Sequence, residues 1–158
     1  MKKGKAAFLL ILFAFSFFAL GYFRNYIFLA VNDRAAALYY HGESHPLNGI
    51  LSIFKSFSYA NLITIKWVLT FLFSLLFTIL SGVTIYSVFQ SKHYVYESVA
   101  FNSLVFIFSL LFIAIGEIIH PFLNQAFVIS RSISHFEQSP ILTIILLSAI
   151  FFDKKRQG

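Results

Sequence analysis

Long apolar segments alternate with shorter polar segments along the whole chain. The apolar segments cover residues 6–23, 62–89, 99–121 and 141–152. About 20 residues of α-helix are needed to cross the ~30 Å hydrocarbon core of a bilayer. The first three segments meet or approach this length, which predicts an all-α, polytopic membrane protein.

The fourth apolar segment is too short to cross a bilayer by itself. Residues 141–152 would cover only about 18 Å as a helix, well short of the core. We therefore predict a span over residues 127–152, kinked near Pro140. A span that begins at residue 127 brings three polar residues into the outer part of the membrane: Arg131, His135 and Gln138. Their spacing places them on one face of the helix.

Composition supports a membrane protein over a soluble one. Hydrophobic residues make up 59% of the chain and charged residues 11%, whereas soluble domains average about 45–50% and about 25%. A soluble fold of this size would leave large apolar patches in water. The net charge of +6 does not indicate nucleic acid, because the cations flank apolar segments rather than covering one surface.

The charge distribution predicts the topology. With four spans, the N-terminal lysines, Lys92 and the C-terminal basic cluster lie on one side, which the positive-inside rule makes cytoplasmic. Both termini are then cytoplasmic, residues 24–61 form an outer loop, and the chain is a single membrane domain. The first segment also resembles a signal peptide, but its length favours an uncleaved anchor.

The sequence predicts no cofactor and no metal. The chain has no cysteine, which excludes disulfides, thiol nucleophiles and Cys-ligated metal. A metal site at His41, Glu43 and His45 is the alternative to a solvated loop. We favour the loop, because Gly42 and Pro46 oppose the helix that such histidines need.

Polar residues in the last two spans form two stripes at helical spacing. Charges inside spans are costly, so each is a functional hypothesis. Antiparallel neighbouring helices would bring the stripes together near the outer boundary, with a Glu117–Arg131 ion pair between them. Such a cluster either locks the helices together or faces a ligand or partner. The candidate cluster contains Glu117, His120, Asn124, Arg131, His135, Gln138, Ser139 and Pro140.

The C-terminal part carries a family resemblance. Ile129-Ser130-Arg131-Ser132-Ile133, followed by Glu137-Gln138-Ser139-Pro140, an apolar run and a basic end, resembles the small exosortase-associated membrane proteins of Bacteroidota. The resemblance covers only this part of the chain. It implies a helper of an exosortase, the membrane enzyme that processes C-terminal sorting signals of exported proteins. The positions that carry it are Arg131, Gln138, Ser139 and Pro140.

The resemblance thus implies a non-catalytic accessory protein of a bacterial inner membrane, which packs against a membrane enzyme or the membrane anchor of its substrate. Its partners would be the lipid bilayer and another membrane protein, not nucleic acid. This chain is not the exosortase itself. That enzyme resembles a cysteine transpeptidase, and this chain has no cysteine to act as the nucleophile. The alternatives are a subunit of a small oligomeric transporter or channel and a membrane hydrolase that uses His120 and His135.

Overall fold

The computed structural model describes residues 3–42 and 48–157 and shows an all-α protein, which confirms the predicted fold class. Two short 3₁₀ helices, Gly49–Ser56 and His120–Phe122, occupy connections between the longer helices. The described residues contain no strand. The α-helices are α1 (Lys3–Tyr40), α2 (Tyr59–Phe89), α3 (Lys92–Ile118), α4 (Leu123–Glu137) and α5 (Pro140–Gln157).

Three of these helices are long and apolar enough to cross a membrane: α1 from Phe8 onward, α2 and α3. Helices α4 and α5 pass the same test only as a pair, bent by 59° at the break between them. The short apolar segment therefore reaches spanning length only together with α4. A multi-pass membrane protein is confirmed, with a bent helix pair as the fourth candidate span.

The end of α5 returns to the start of α3. The Tyr94 hydroxyl, near the beginning of α3, donates a hydrogen bond of 3.3 Å to Asp153 Oδ2, near the end of α5. The chain leaves along α3, turns at His120–Phe122 and comes back through α4 and α5. If α4 and α5 together form a fourth crossing, α5 must end on the same side as the start of α3. In a re-entrant loop, α5 would instead end on the side of the turn at His120–Phe122.

Helix α1 continues well beyond the predicted boundary. We predicted that an outer loop begins at Arg24, but the helix runs unbroken to Tyr40. It ends where His41 adopts a left-handed conformation (φ 55°) and the Gly42 N–H donates to the Ala37 carbonyl, a common helix terminus. At about 1.5 Å per residue, the 33 residues from Phe8 exceed a ~30 Å core, so the more polar end extends past the hydrocarbon.

Packing forms two compact units, of which the smaller is Ala19–Phe73. Its core joins Val31 and Ala35 of α1 to Leu62 of α2. The first 3₁₀ helix has about three residues per turn, which puts Leu51 and Phe54 on one face. Phe54 packs against this core, and Leu51 packs in a neighbouring cluster with Ala30 of α1. These contacts explain why a region of mixed polarity stays helical.

The larger unit comprises the described residues up to Phe18 and from Ser74 onward. Its best-packed pair is the α3–α4 hairpin, where a glycine lets the two backbones approach closely. A Cβ placed on Gly116 would lie 2.7 Å from Ala126 Cβ and 3.3 Å from Leu123 Cα. Small residues at helix crossings are typical of membrane proteins, in which packing replaces the hydrophobic effect.

We expect Gly116→Ala to destabilise the protein by about 1–3 kcal/mol, because overpacking forces the backbones apart. Unfolding in mixed micelles with increasing SDS measures this. Gly82→Ala is the matched control, since its new Cβ would meet Val95 Cγ1 at an ordinary 3.5 Å. Equal stability of the two variants would contradict the close approach.

Candidate functional site

The interior of the larger unit is polar where its helices meet. The buried residues of α3 are all polar or small and recur every four or seven residues: Ser98, Asn102, Ser109 and Gly116. The buried residues of α4 are Ala126, Ser130 and Glu137. We call these residues, together with their buried partners on α2, the polar seam. Large apolar residues of α3 instead face outward, such as Leu104, which is 60% exposed.

Ser109 is the best-connected residue of the seam. Its Oγ lies 3.0 Å from the Ser130 carbonyl, 2.9 Å from Ser130 Oγ and 2.7 Å from Ser134 Oγ. A hydroxyl has one hydrogen and two acceptor sites. If Ser109 donates to the carbonyl, both other hydroxyls can donate to Ser109, and its hydrogen-bonding capacity is then used up.

A second group of seam residues joins α2 to α3. Ser81 Oγ lies 3.2 Å from Ser98 Oγ, and Asn102 Nδ2 donates to the Ser98 carbonyl at 2.8 Å. All three side chains are almost fully buried. The Ser81–Ser98 contact joins two helices, whereas the Asn102–Ser98 bond lies within α3. Both satisfy groups for which lipid offers no partner.

The third group contains the buried acid Glu137. Its side chain is 1% exposed, and its Oε1 accepts a 2.7 Å hydrogen bond from Ser74 Oγ of α2. Glu137 is the last residue of α4, directly before the break that precedes α5. An ionisable residue buried in a membrane protein is a functional hypothesis in its own right.

The break itself is built by the next three residues. The Gln138 N–H donates to the Ser134 carbonyl at 3.0 Å, and Ser139 Oγ donates to the Phe136 carbonyl at 2.7 Å. Pro140 then begins α5, where its lack of an N–H costs nothing. The predicted kink at Pro140 is therefore a complete interruption between two helices.

The structure divides the predicted cluster into two sets. Gln138 is buried, and Ser139 and Pro140 are half-buried at the break. About 18 Å of α4 separates His120, which precedes the helix, from His135 near its end, so the structure does not bring these two residues together. The remaining polar residues are exposed on the surface of the α3–α4 hairpin: Glu117, His120, Asn124, Arg131 and His135.

The predicted Glu117–Arg131 ion pair was wrong. Gly116 lies opposite Ala126, and Ser109 lies opposite Ser130. Arg131 is therefore about two helical turns farther from the hairpin turn than Glu117 is. Among the described residues, neither side chain forms an ion pair or a hydrogen bond.

Sequence reasoning missed the polar seam. The predicted cluster contains none of the buried residues of α3, such as Ser98 and Asn102. The signal was the regular spacing of small and polar residues on α3. Serine is so frequent in this chain that the spacing alone did not single these residues out.

The candidate metal site falls on residues that are only partly described. His41 is exposed at the end of α1, whereas Glu43 and His45 lie outside the described residues. Within residues 3–42 and 48–157, no group of three or more His, Cys, Asp or Glu side chains is placed to hold a metal ion.

No protein-family model, curated protein or solved structure matches this chain.

We expect Ser74→Ala to lower the free energy of unfolding by about 1 kcal/mol, the usual size of an interhelical hydrogen bond in a membrane protein. The same substitution in a Glu137→Ala background should cost less than half as much, because the hydrogen-bond acceptor is already gone. Stability in bicelles measures both. Ser103→Ala, at an exposed position on α3, is the control, and an equal loss there would contradict a specific Ser74–Glu137 bond.

Proposed function

We propose that this chain is a non-catalytic accessory protein of a bacterial inner membrane that acts by binding another membrane protein. The observation that carries this proposal is the outward orientation of Glu117, His120, Asn124 and Arg131. The interior groups of the α3–α4 hairpin are already bonded to one another. The outward groups therefore remain available to a partner.

The finer proposal is a role in exosortase-type protein sorting. Its support is the resemblance in the segment that contains Arg131, Gln138, Ser139 and Pro140. In this fold the segment has two parts with different tasks. Gln138, Ser139 and Pro140 shape the break between α4 and α5, whereas Arg131 points outward. The partner would be the sorting enzyme or the membrane anchor of its substrate.

We infer that the end of the bundle formed by the start of α3 and the end of α5 faces the cytoplasm. The Tyr94–Asp153 hydrogen bond brings these two ends together. Four exposed cations thereby lie at one end of the larger unit, as the positive-inside rule requires of a cytoplasmic surface. They are Lys92, Lys154, Lys155 and Arg156.

Cysteine labelling tests this topology, since the chain has no native cysteine. In intact cells, a membrane-impermeant maleimide should label Ser52→Cys in the first 3₁₀ helix but not Ser91→Cys between α2 and α3. Lysed cells should label both. Labelling of Ser91→Cys in intact cells would reverse the orientation.

A photo-reactive amino acid at Asn124 tests the binding function. With an exosortase and its substrate co-expressed, we expect a covalent adduct to one of these two proteins. The same group at Leu104, an exposed apolar position on α3, is the control and should give mainly lipid adducts. Equal yields of protein adduct at both positions would contradict a specific binding surface.

A transporter or channel subunit remains the second candidate, because the polar seam extends from Ser98 to Gly116. This is about 27 Å of helix, close to the full hydrocarbon thickness. The hydroxyl oxygens of facing serines in the seam are 2.7–3.2 Å apart, so side chains fill the space between the helices there. Photo-adducts only to further copies of the chain, together with ion flux in liposomes, would favour this alternative.

A further inference from the structure

The depth of Arg131 follows from the register of the α3–α4 hairpin. Ser109 contacts Ser130 and Ser134, so Arg131 lies at the level of residue 109 on α3. Residue 109 is about 14 Å from the end of α3 at Ile118, roughly half of a ~30 Å core. The exposed residues of α3 near that level are all large and apolar: Ile107, Phe108, Leu110 and Leu111.

An exposed guanidinium at this depth needs a counter-charge. Long basic side chains near helix ends reach the headgroups by snorkelling. Arg131 is in the middle of α4, eight residues after Leu123 and six before Glu137. Charged residues inside spans almost always pair or face a protein interior, so Arg131 marks a surface that another protein covers.

The described part of the chain supplies no carboxylate to Arg131. Glu117 is about two helical turns away, as the hairpin register shows. Glu137 is buried and accepts a hydrogen bond from Ser74. Asp153 accepts one from Tyr94 at the far end of α5.

We propose that the exposed face of α4 binds a transmembrane helix of another protein that carries a carboxylate at the depth of Arg131. A shallow groove of about 450 Å³ lies on the same helix, nearer to the hairpin turn. Apolar side chains of the incoming helix would occupy this groove while its carboxylate pairs with Arg131, a helix-in-groove arrangement. The groove is lined by Phe122, Asn124, Gln125, Val128 and Ile129.

A second copy of this chain fits the surface less well. A symmetric pair with its axis along the membrane normal keeps every residue at its own depth. Arg131 of one copy would then face Arg131 of the other. Glu117 of either copy would lie about two helical turns nearer the hairpin turn, too far away to pair with Arg131. Lipid phosphates lie at the headgroup level, away from the middle of α4. A carboxylate on a foreign helix satisfies the charge at the right depth.

Full-length protein in phosphatidylcholine vesicles tests this inference. The probe is a synthetic leucine–alanine transmembrane helix with one Glu at the depth of Arg131, and its match carries Gln instead. Energy transfer from a dye at Ser91→Cys to the peptide measures binding. We expect roughly tenfold tighter binding of the Glu peptide, about 1.4 kcal/mol. Arg131→Gln should abolish this preference, and Arg131→Glu should shift it to a Lys peptide.

Two controls fix the location and the source of the effect. Arg156→Gln, at an exposed cation near the end of α5, should leave the preference unchanged. A peptide with its Glu two helical turns nearer the surface should lose it. Equal binding of the Glu and Gln peptides, or a preference that survives Arg131→Gln, overturns the inference. So does Arg131-dependent energy transfer between two copies of the chain without any peptide.

The inference rests on the proposed accessory function but can fail separately from it. If the photo-adduct to a sorting partner forms equally well with Arg131→Gln, the acidic-helix inference fails and the accessory function stands. If the peptide preference holds but neither sorting protein is captured, the sorting proposal fails and the recognition surface stands.

Discussion

Polar groups inside a bilayer must be satisfied by the protein, because lipid offers no hydrogen-bond partner. Helices α3 and α4 meet this constraint by turning Asn102, Glu137 and three of their serines inward and many of their large apolar side chains outward. The three buried serines are Ser98, Ser109 and Ser130. The arrangement depends on the close approach at Gly116, where a Cβ would meet Ala126 at 2.7 Å. About two helical turns along the same contact, Ser109 reaches both Ser130 and Ser134 at hydrogen-bond distance.

The break between α4 and α5 follows from the same constraint. Ending a helix inside a membrane exposes backbone carbonyls, which need partners. Ser139 Oγ and the Gln138 N–H bond two of the carbonyls at the end of α4, and Pro140 begins α5 without an N–H to satisfy. The interruption also places Glu137 at a helix end, where Ser74 of α2 hydrogen-bonds to it.

Hydropathy predicted the helices but not how far each extends or how they fit together. A run of apolar residues indicates contact with lipid, so the predicted segment 62–89 matches α2 closely. Helix α3 instead begins at Lys92, seven residues before the predicted segment 99–121, and ends earlier, at Ile118. Hydropathy does not indicate how far a helix continues beyond the membrane. Helix α1 continues to Tyr40, and the packing of Val31 and Ala35 against Leu62 stabilises this part. The Glu117–Arg131 prediction failed because periodicity fixes the face of a residue and not the register between two helices. That register is set by the short turn at His120–Phe122 and by Gly116.

Polar residues in these helices therefore fall into two classes with opposite consequences. Ser109, Ser130 and Ser134 complete one another's hydrogen bonds and need nothing from outside. Arg131, one position from Ser130, faces outward because successive residues of a helix are about 100° apart. A single step along α4 thus separates a residue that holds the bundle together from one with no counter-charge among the described residues. If a partner helix binds there, as we propose, recognition can change at Arg131 without disturbing the packing that positions it.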